Sequence, residues 1–125
     1  MKSEQINSYK DLDVWNEAIE LTIMIYELSM HFPKDELYGL TNQIRRSASS
    51  IPANIAEGWG RISSKEFKRF LLIARGSAME TETHLIIAVK LDYINRDSAV
   101  PIWKQIEKVN KLLFGTIRSI ENKSR

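Results

Sequence analysis

The side chains best equipped for chemistry in this sequence are cations crowded into its middle. Arg45, Arg46, Arg61, Lys65, Lys68, Arg69 and Arg75 fall between positions 45 and 75, and only Glu57 and Glu66 oppose them there. Lysine and arginine in such a run can neutralise backbone phosphates and release their counterions. Trp59 lies among them and could stack on an unpaired base. The residues expected to face nucleic acid are therefore Arg46, Arg61, Lys65, Lys68, Arg69 and Trp59. The competing account is a solvated helix surface with an internal ion pair. Folding back about Arg61 sets Arg45 and Arg46 level with Gly76 and Ser77, one turn from Glu80, and a structural pair between Arg45 and Glu80 is expected.

Other constellations are weaker. Glu80 and His84 stand four apart on one helical face and could share a metal. Di-metal sites in bundles use Glu-x-x-His twice with further glutamates, a pattern missing here, and the other histidine is the distant His31. A side-chain pair is the better account, and neither a metal nor another cofactor is expected. Gly58-Trp59-Gly60-Arg61 looks like a piece of a phosphate loop, but Ser63 stands where a third glycine belongs and no strand precedes it. A helix stop, with Gly58 as a left-handed cap, explains it better. The sequence has no Gly-x-Ser-x-Gly elbow, no cysteine nucleophile and no lysine-bearing phosphate loop, so no enzyme is expected.

The 125 residues suit one compact domain, and 43% apolar content supports a real core. The absence of cysteine excludes disulfides and thiolate zinc sites and fits a cytoplasmic protein. Residues 1–7 are too polar for a signal peptide, and charges interrupt every segment that might cross a membrane. A net charge of +2 permits contact with nucleic acid without requiring it.

Four helix-periodic segments must position these groups. A polar extension at 1–10 precedes a first helix over about 11–32, with Val14, Ala18, Leu21, Ile25, Leu28 and Phe32 on one stripe and Leu12, Trp15, Ile19 and Tyr26 on a second. Pro33 ends it. A second helix starts near Asp35, carries Leu37, Leu40, Ile44, Ala48, Ile51 and Ile55 inward, and is expected to kink at Pro52. The small run Ser47-Ala48-Ser49-Ser50 lets a neighbour come close. A third helix, opened by Ser63 and Glu66 at capping-box spacing, runs to about Leu91 on Phe67, Phe70, Leu71, Ala74, Ala78, Thr81, Leu85 and Ala88. A fourth, with Pro101 in its first turn, carries Ile102, Ile106, Val109, Leu113, Ile117 and Ile120, and 121–125 should fray. Short breaks make neighbours antiparallel, so the expected fold is all-α: an up-down-up-down four-helix bundle over 11–120. Trp15, Tyr26, Tyr38, Trp59, Tyr93, Trp103 and Phe114 exceed what four seams need, which points to self-association.

Three stretches carry a family likeness: Tyr9 to Trp15, Gln43 to Gly58 (QIRRSASSIPANIAEG) and Phe70 to Glu80 (FLLIARGSAME). An interior proline after Arg-Arg and a serine-rich run is not generic bundle sequence. Together they resemble the proteins encoded in intervening sequences of bacterial 23S rRNA genes, with the accessory proteins of diversity-generating retroelements as similar relatives. The resemblance implies a four-helix bundle in ring-shaped homopentamers. It also implies, from the retroelement side, a basic surface for nucleic acid and a reverse transcriptase as partner. The rRNA in the family's name records where the gene sits. Two functions follow as expectations: a non-enzymatic homo-oligomeric bundle presenting a basic surface of helices two and three to RNA or DNA, or a protein-interaction scaffold with no nucleic-acid role.

Overall fold

The computed structural model describes residues 6–123. Four helices, α1 (Asp13–Ser29), α2 (Leu40–Trp59), α3 (Ser64–Lys90) and α4 (Arg96–Lys123), form a four-helix bundle, and no strand occurs among the described residues. Each helix packs on two neighbours in a closed circuit, α1 on α2, α2 on α3, α3 on α4 and α4 on α1. Cross-helix pairs fix the register. Ser47 meets Thr81 and Ser50 meets Ser77, so numbers rise along α2 as they fall along α3. Lys68 meets Glu121 and Arg75 meets Phe114 in the same sense between α3 and α4.

The core is the set of inward stripes. Leu21, Ile25, Ile44, Ile51, Ile55, Leu71, Leu85, Ile106, Val109 and Leu113 are fully buried, each contributing about 1.5–3 kcal/mol before entropy is subtracted. Leu37 departs from its expected seam and is half exposed, because the chain between Pro33 and Gly39 is a tight 3-10 turn (Lys34–Glu36) and α2 begins only at Leu40.

Small and polar residues let α2 and α3 come close. The Ser47 and Thr81 hydroxyls lie 2.9 Å apart in the interior, and Thr81 Oγ1 is 2.9 Å from the Ser77 carbonyl it donates to. Gly58 has no positive φ and is not a left-handed cap. It is buried inside α2, where a Cβ would sit 2.7 Å from Phe70 Cβ and 3.0 Å from the Phe67 ring. The helix stops instead at Gly60, whose N–H donates to the Ala56 carbonyl.

Pro52 lies inside one uninterrupted helix. It cannot donate to the Ala48 carbonyl. Thr22 Oγ1 on α1 approaches that carbonyl at 3.2 Å and the Ala18 carbonyl at 2.8 Å, so its single proton serves both acceptors.

The ends differ from the sequence expectation in three places, while α3 closes where it was expected to. The supposed polar extension holds a 3-10 turn, Tyr9–Asp11, in which Ser8 Oγ accepts from Lys10 N and Asp11 accepts from the Ser8 backbone. The rest of that extension, 1–5, lies outside the described residues. α3 ends with Asp92 at φ 61°, and Tyr93 N–H donates to Ala88 O while Asp92 N–H donates to Val89 O, the paired closure that usually takes glycine. α4 starts at Arg96, capped by Asn95 Oδ1 on the Ser98 N–H at 2.8 Å. Pro101 is therefore in its second turn, on the exposed side where the Asp97 carbonyl can face water. The 121–125 segment is not wholly frayed, since α4 continues to Lys123, and only 124–125 lie outside the described residues.

Glu36 ties the connections together. Its carboxylate accepts from Leu40 N–H at 2.9 Å, at the start of α2, and from the Tyr93 hydroxyl at 2.7 Å. Gly39 leaves room for this, because a Cβ there would sit 2.5 Å from Glu36 Oε1. These two donors hold the Glu36 carboxyl below the ordinary carboxylate range, and the same bond raises the Tyr93 phenol. On the other side of the bundle Gln105 Nε2 donates to the Glu17 carbonyl and carboxylate, both at 2.9 Å, and draws the Glu17 carboxyl down.

Two outcomes follow. Gly58→Ala should cost about 1–3 kcal/mol because α2 and α3 must part, whereas Gly115→Ala, whose Cβ meets nothing within 4 Å, should be neutral or stabilising by about 0.5–1 kcal/mol. Thermal melts of both variants check this, and equal melting points would remove the close-approach argument. The Glu36–Tyr93 clasp should be pH-dependent at both ends. A carboxyl lowered on folding contributes above its usual value of 4.5 and loses that contribution as pH falls through the lowered value. A phenol raised above 10.0 contributes fully below pH 10 and loses it as pH climbs through the raised value. Glu36→Ala should flatten both limbs in denaturant titrations run across pH.

Candidate functional site

The expected basic surface exists, but most of it is already compensated. At the turn joining α2 to α3, Arg61 pairs with Glu57 at 2.6 Å, one helical turn back. Arg69 reaches Glu66 at 3.3 Å, and Lys68 crosses to Glu121 on α4 at 2.6 Å. The Arg61 and Arg69 guanidiniums also lie over the Phe70 ring, at 5.0 and 4.6 Å from its centroid. Arg61, Lys65, Lys68 and Arg69 thus face three carboxylates. Arg46 and Lys65 form no ion pair within 4 Å among the described residues.

Trp59 is half-buried, in a T-shaped contact with the Phe67 ring at 6.0 Å and 84°. A tryptophan just before Gly60 reads as a loop aromatic in sequence. In space it is the last α2 residue.

The expected Arg45–Glu80 pair is not formed. Arg45 turns the other way, toward α1. Its Nε donates to Ser29 Oγ at 2.8 Å, an Nη donates to the Tyr26 carbonyl at 3.3 Å, and the guanidinium lies 4.9 Å from the Tyr26 ring centroid. Level and direction both differ from the expectation: the Ser47–Thr81 and Ser50–Ser77 pairs set Arg45 and Arg46 level with the turn around Glu82 rather than with Gly76 and Ser77, and consecutive residues on a helix point about 100° apart, so Arg45 and Arg46 serve different grooves. Arg46 is the one that shares a groove with Glu80, and neither is within ion-pair distance of the other.

That groove was not anticipated. It runs between α2 and α3 with a volume of about 510 Å³, and is lined by Tyr38, Asn42, Gln43, Arg46, Ser47, Ser50, Glu80 and His84. Tyr38 is 91% exposed at its edge. His84 Nδ1 is buried and finds no hydrogen-bond partner among the described residues. Sequence held one hint, the four-residue steps Tyr38, Asn42, Arg46 and Glu80, His84, but nothing there showed that the two rows face each other. Among the described residues no three His, Asp or Glu side chains gather closely enough to hold a metal.

A second surface is apolar. The α3 side opposite the core carries Leu72, Gly76, Met79, Thr83 and Ile86 at three- and four-residue steps, with Leu72, Met79 and Ile86 each about 40–46% exposed. Phe114 on α4 extends it, stacked under the Arg75 guanidinium at 4.5 Å. A groove beside it includes Trp103, Asn110 and Phe114. Arg75 Nε and Asn110 Oδ1 are buried without hydrogen-bond partners among the described residues. α1 carries a separate outward stripe, Ile23, Tyr26 and Met30, the last 73% exposed. No described helix is long and apolar enough to cross a membrane.

Comparison with known proteins places this architecture. No curated protein matches the chain. Among solved structures it is similar to a protein of unknown function from the S23 ribosomal protein family of Bacteroides thetaiotaomicron. The two share 31% identity with a TM-score of 0.77, over 83% of this chain and 97% of that one. The family model described as 23S rRNA-intervening sequence protein matches residues 10–115, which span parts of all four helices and both grooves. With that match over most of its length, the chain belongs to the 23S rRNA-intervening sequence protein family.

Proposed function

We propose that this protein is a non-enzymatic helical module that assembles with copies of itself through its outward apolar faces into a closed ring. The observation that carries this reading is the α3 stripe from Leu72 to Ile86, which lies directly opposite the buried one. Surface helices ordinarily show one apolar side, and a helix apolar on both is built to be covered on both. The stripe spans fourteen residue steps, about 21 Å of helix. Gly76 at its centre leaves open space where a Cβ would project, so another helix can approach closely. Two separate stripes, on α3 and on α1, favour a head-to-tail contact, in which one copy's α3–α4 face covers the next copy's α1. Such contacts propagate until they close. A five-membered ring is the closure the family resemblance implies.

A second reading, contact with RNA or DNA through Arg46, Arg61, Lys65, Lys68 and Arg69, is favoured by Arg46 and Lys65, which have no ion pair. Exposed pairs such as those of Arg61 and Arg69 are worth only about 0–1 kcal/mol, so a phosphate can displace the carboxylate. It is a weaker footprint than five free cations. A docked protein, a reverse transcriptase included, fits the apolar faces as an alternative occupant.

Sedimentation at micromolar concentration should show an oligomer, and Met79→Lys with Ile86→Lys should convert it to monomer with its helical circular dichroism intact. A wild-type monomer would refute the assembly. For the second reading, two uncompensated cations predict a log–log salt slope for binding single-stranded RNA of roughly −1.4, against about −3.5 for five. Absence of binding at low salt, or a slope unmoved by Arg46→Ala with Lys65→Ala, would count decisively against it.

A further inference from the structure

We propose that the α2–α3 groove is a binding site for one unpaired ribonucleotide, with adenine the base it reads best. Tyr38 stands in the turn leading into α2, and Asn42 and Arg46 follow it at four-residue steps along one groove wall, Asn42 and Arg46 about 6 Å apart along the axis. The row runs from an exposed aromatic face, through a side-chain amide, to a guanidinium. A nucleotide presents the matching sequence of base face, base edge and phosphate over a comparable length.

The opposite wall completes the match. The pairs Ser47–Thr81 and Ser50–Ser77 set His84 opposite Gln43, and Glu80 opposite the turn that carries Arg46 and Ser47. A base stacked on Tyr38 lies between the Asn42 and Gln43 amides and His84. An amide offers a donor and an acceptor side by side, the complement of adenine N7 and N6. His84 lines the wall facing these amides. Glu80 faces the Arg46 turn across the groove, where a carboxylate can accept from the hydroxyls of a ribose lying between the two walls, and a 2′-hydroxyl is what separates RNA from DNA at such a site. Arg46 has no ion pair among the described residues and takes the phosphate. The groove's 510 Å³ is within the range of small-molecule sites. This inference rests neither on ring assembly nor on the basic turn at Arg61 to Arg69.

The test uses the full-length protein at low salt with three labelled hexamers, oligo-rA, oligo-dA and oligo-rU, read by fluorescence anisotropy, and adenosine 5′-monophosphate by titration calorimetry. Oligo-rA should bind tighter than both other probes. Tyr38→Ala should weaken oligo-rA on the order of tenfold. Arg46→Ala should weaken oligo-rA and oligo-dA alike. Glu80→Ala should abolish the preference for oligo-rA over oligo-dA while leaving oligo-dA affinity unchanged or higher, an outcome that general loss of structure does not produce. All three side chains are exposed, and circular dichroism confirms the fold of each variant. Binding of the free monophosphate that competes with oligo-rA identifies a free nucleotide as a sufficient ligand, and binding of the hexamer alone identifies RNA. No binding of either, equal binding of all three hexamers, or binding lost in Lys65→Glu with Lys68→Glu but kept in Tyr38→Ala overturns the assignment.

Discussion

The close approach of α2 to α3 is the constraint on which the rest of the molecule depends. It requires Gly58 under Phe70 and Phe67, and small hydroxyl residues where the helices face each other, Ser47 against Thr81 and Ser50 against Ser77. Hydroxyls at such a contact carry their own problem, because a buried oxygen without a partner costs about 1–3 kcal/mol. Pairing them across the interface resolves it and also sets the register, since slipping one helix by a residue would break both pairs together. That register puts Glu80 and His84 across from Gln43 and Arg46, and so makes the groove.

A similar exchange occurs at Pro52. Proline inside a buried helix frees a carbonyl, and a freed buried carbonyl needs a donor. Thr22 supplies it from α1 at 3.2 Å, so a defect in one helix becomes a tie to its neighbour. The Glu36 clasp does comparable work at the bundle end, where one carboxylate starts α2 and holds the α3–α4 connection through Tyr93. In each case a polar group that α2 does not satisfy within its own helix is satisfied by, or satisfies, another element.

Legibility in the sequence followed the range of the interaction. Inward stripes were readable because burial repeats at helical spacing: Ile44, Ile51, Leu85, Ile106 and Leu113 are all fully buried. Local capping at Ser63 was readable for the same reason, with Ser63 Oγ accepting from Glu66 N–H. Glu57 and Glu66 were visible as opposing charges because their partners are three or four residues away. Lys68–Glu121 joins residues far apart in sequence and was not visible, and it removes a third cation from the phosphate-binding tally. The Arg45 expectation missed in azimuth, which spacing alone does not resolve between adjacent residues, and in level, because the helices fold back nearer Ser63 than Arg61. Asp92 in a left-handed cap hid because glycine is the usual marker of that conformation.

The two unassigned surfaces do not compete for the same side chains. α3 turns Leu72, Met79 and Ile86 outward, away from the core, and turns Glu80 and His84 toward the groove it shares with α2. Covering the first with another copy therefore leaves the second reachable. This separation has a quantitative consequence. A groove open along one side, with one stacking ring and one phosphate contact, would hold a single nucleotide weakly. The proposed ring would repeat that groove at fixed spacing, and a strand long enough to reach two of them would convert the second encounter into an intramolecular one, raising avidity by roughly 10²–10⁴ without any new contact. The same arithmetic fails if the strand cannot span neighbouring grooves, so oligonucleotide length would govern affinity far more steeply than sequence does.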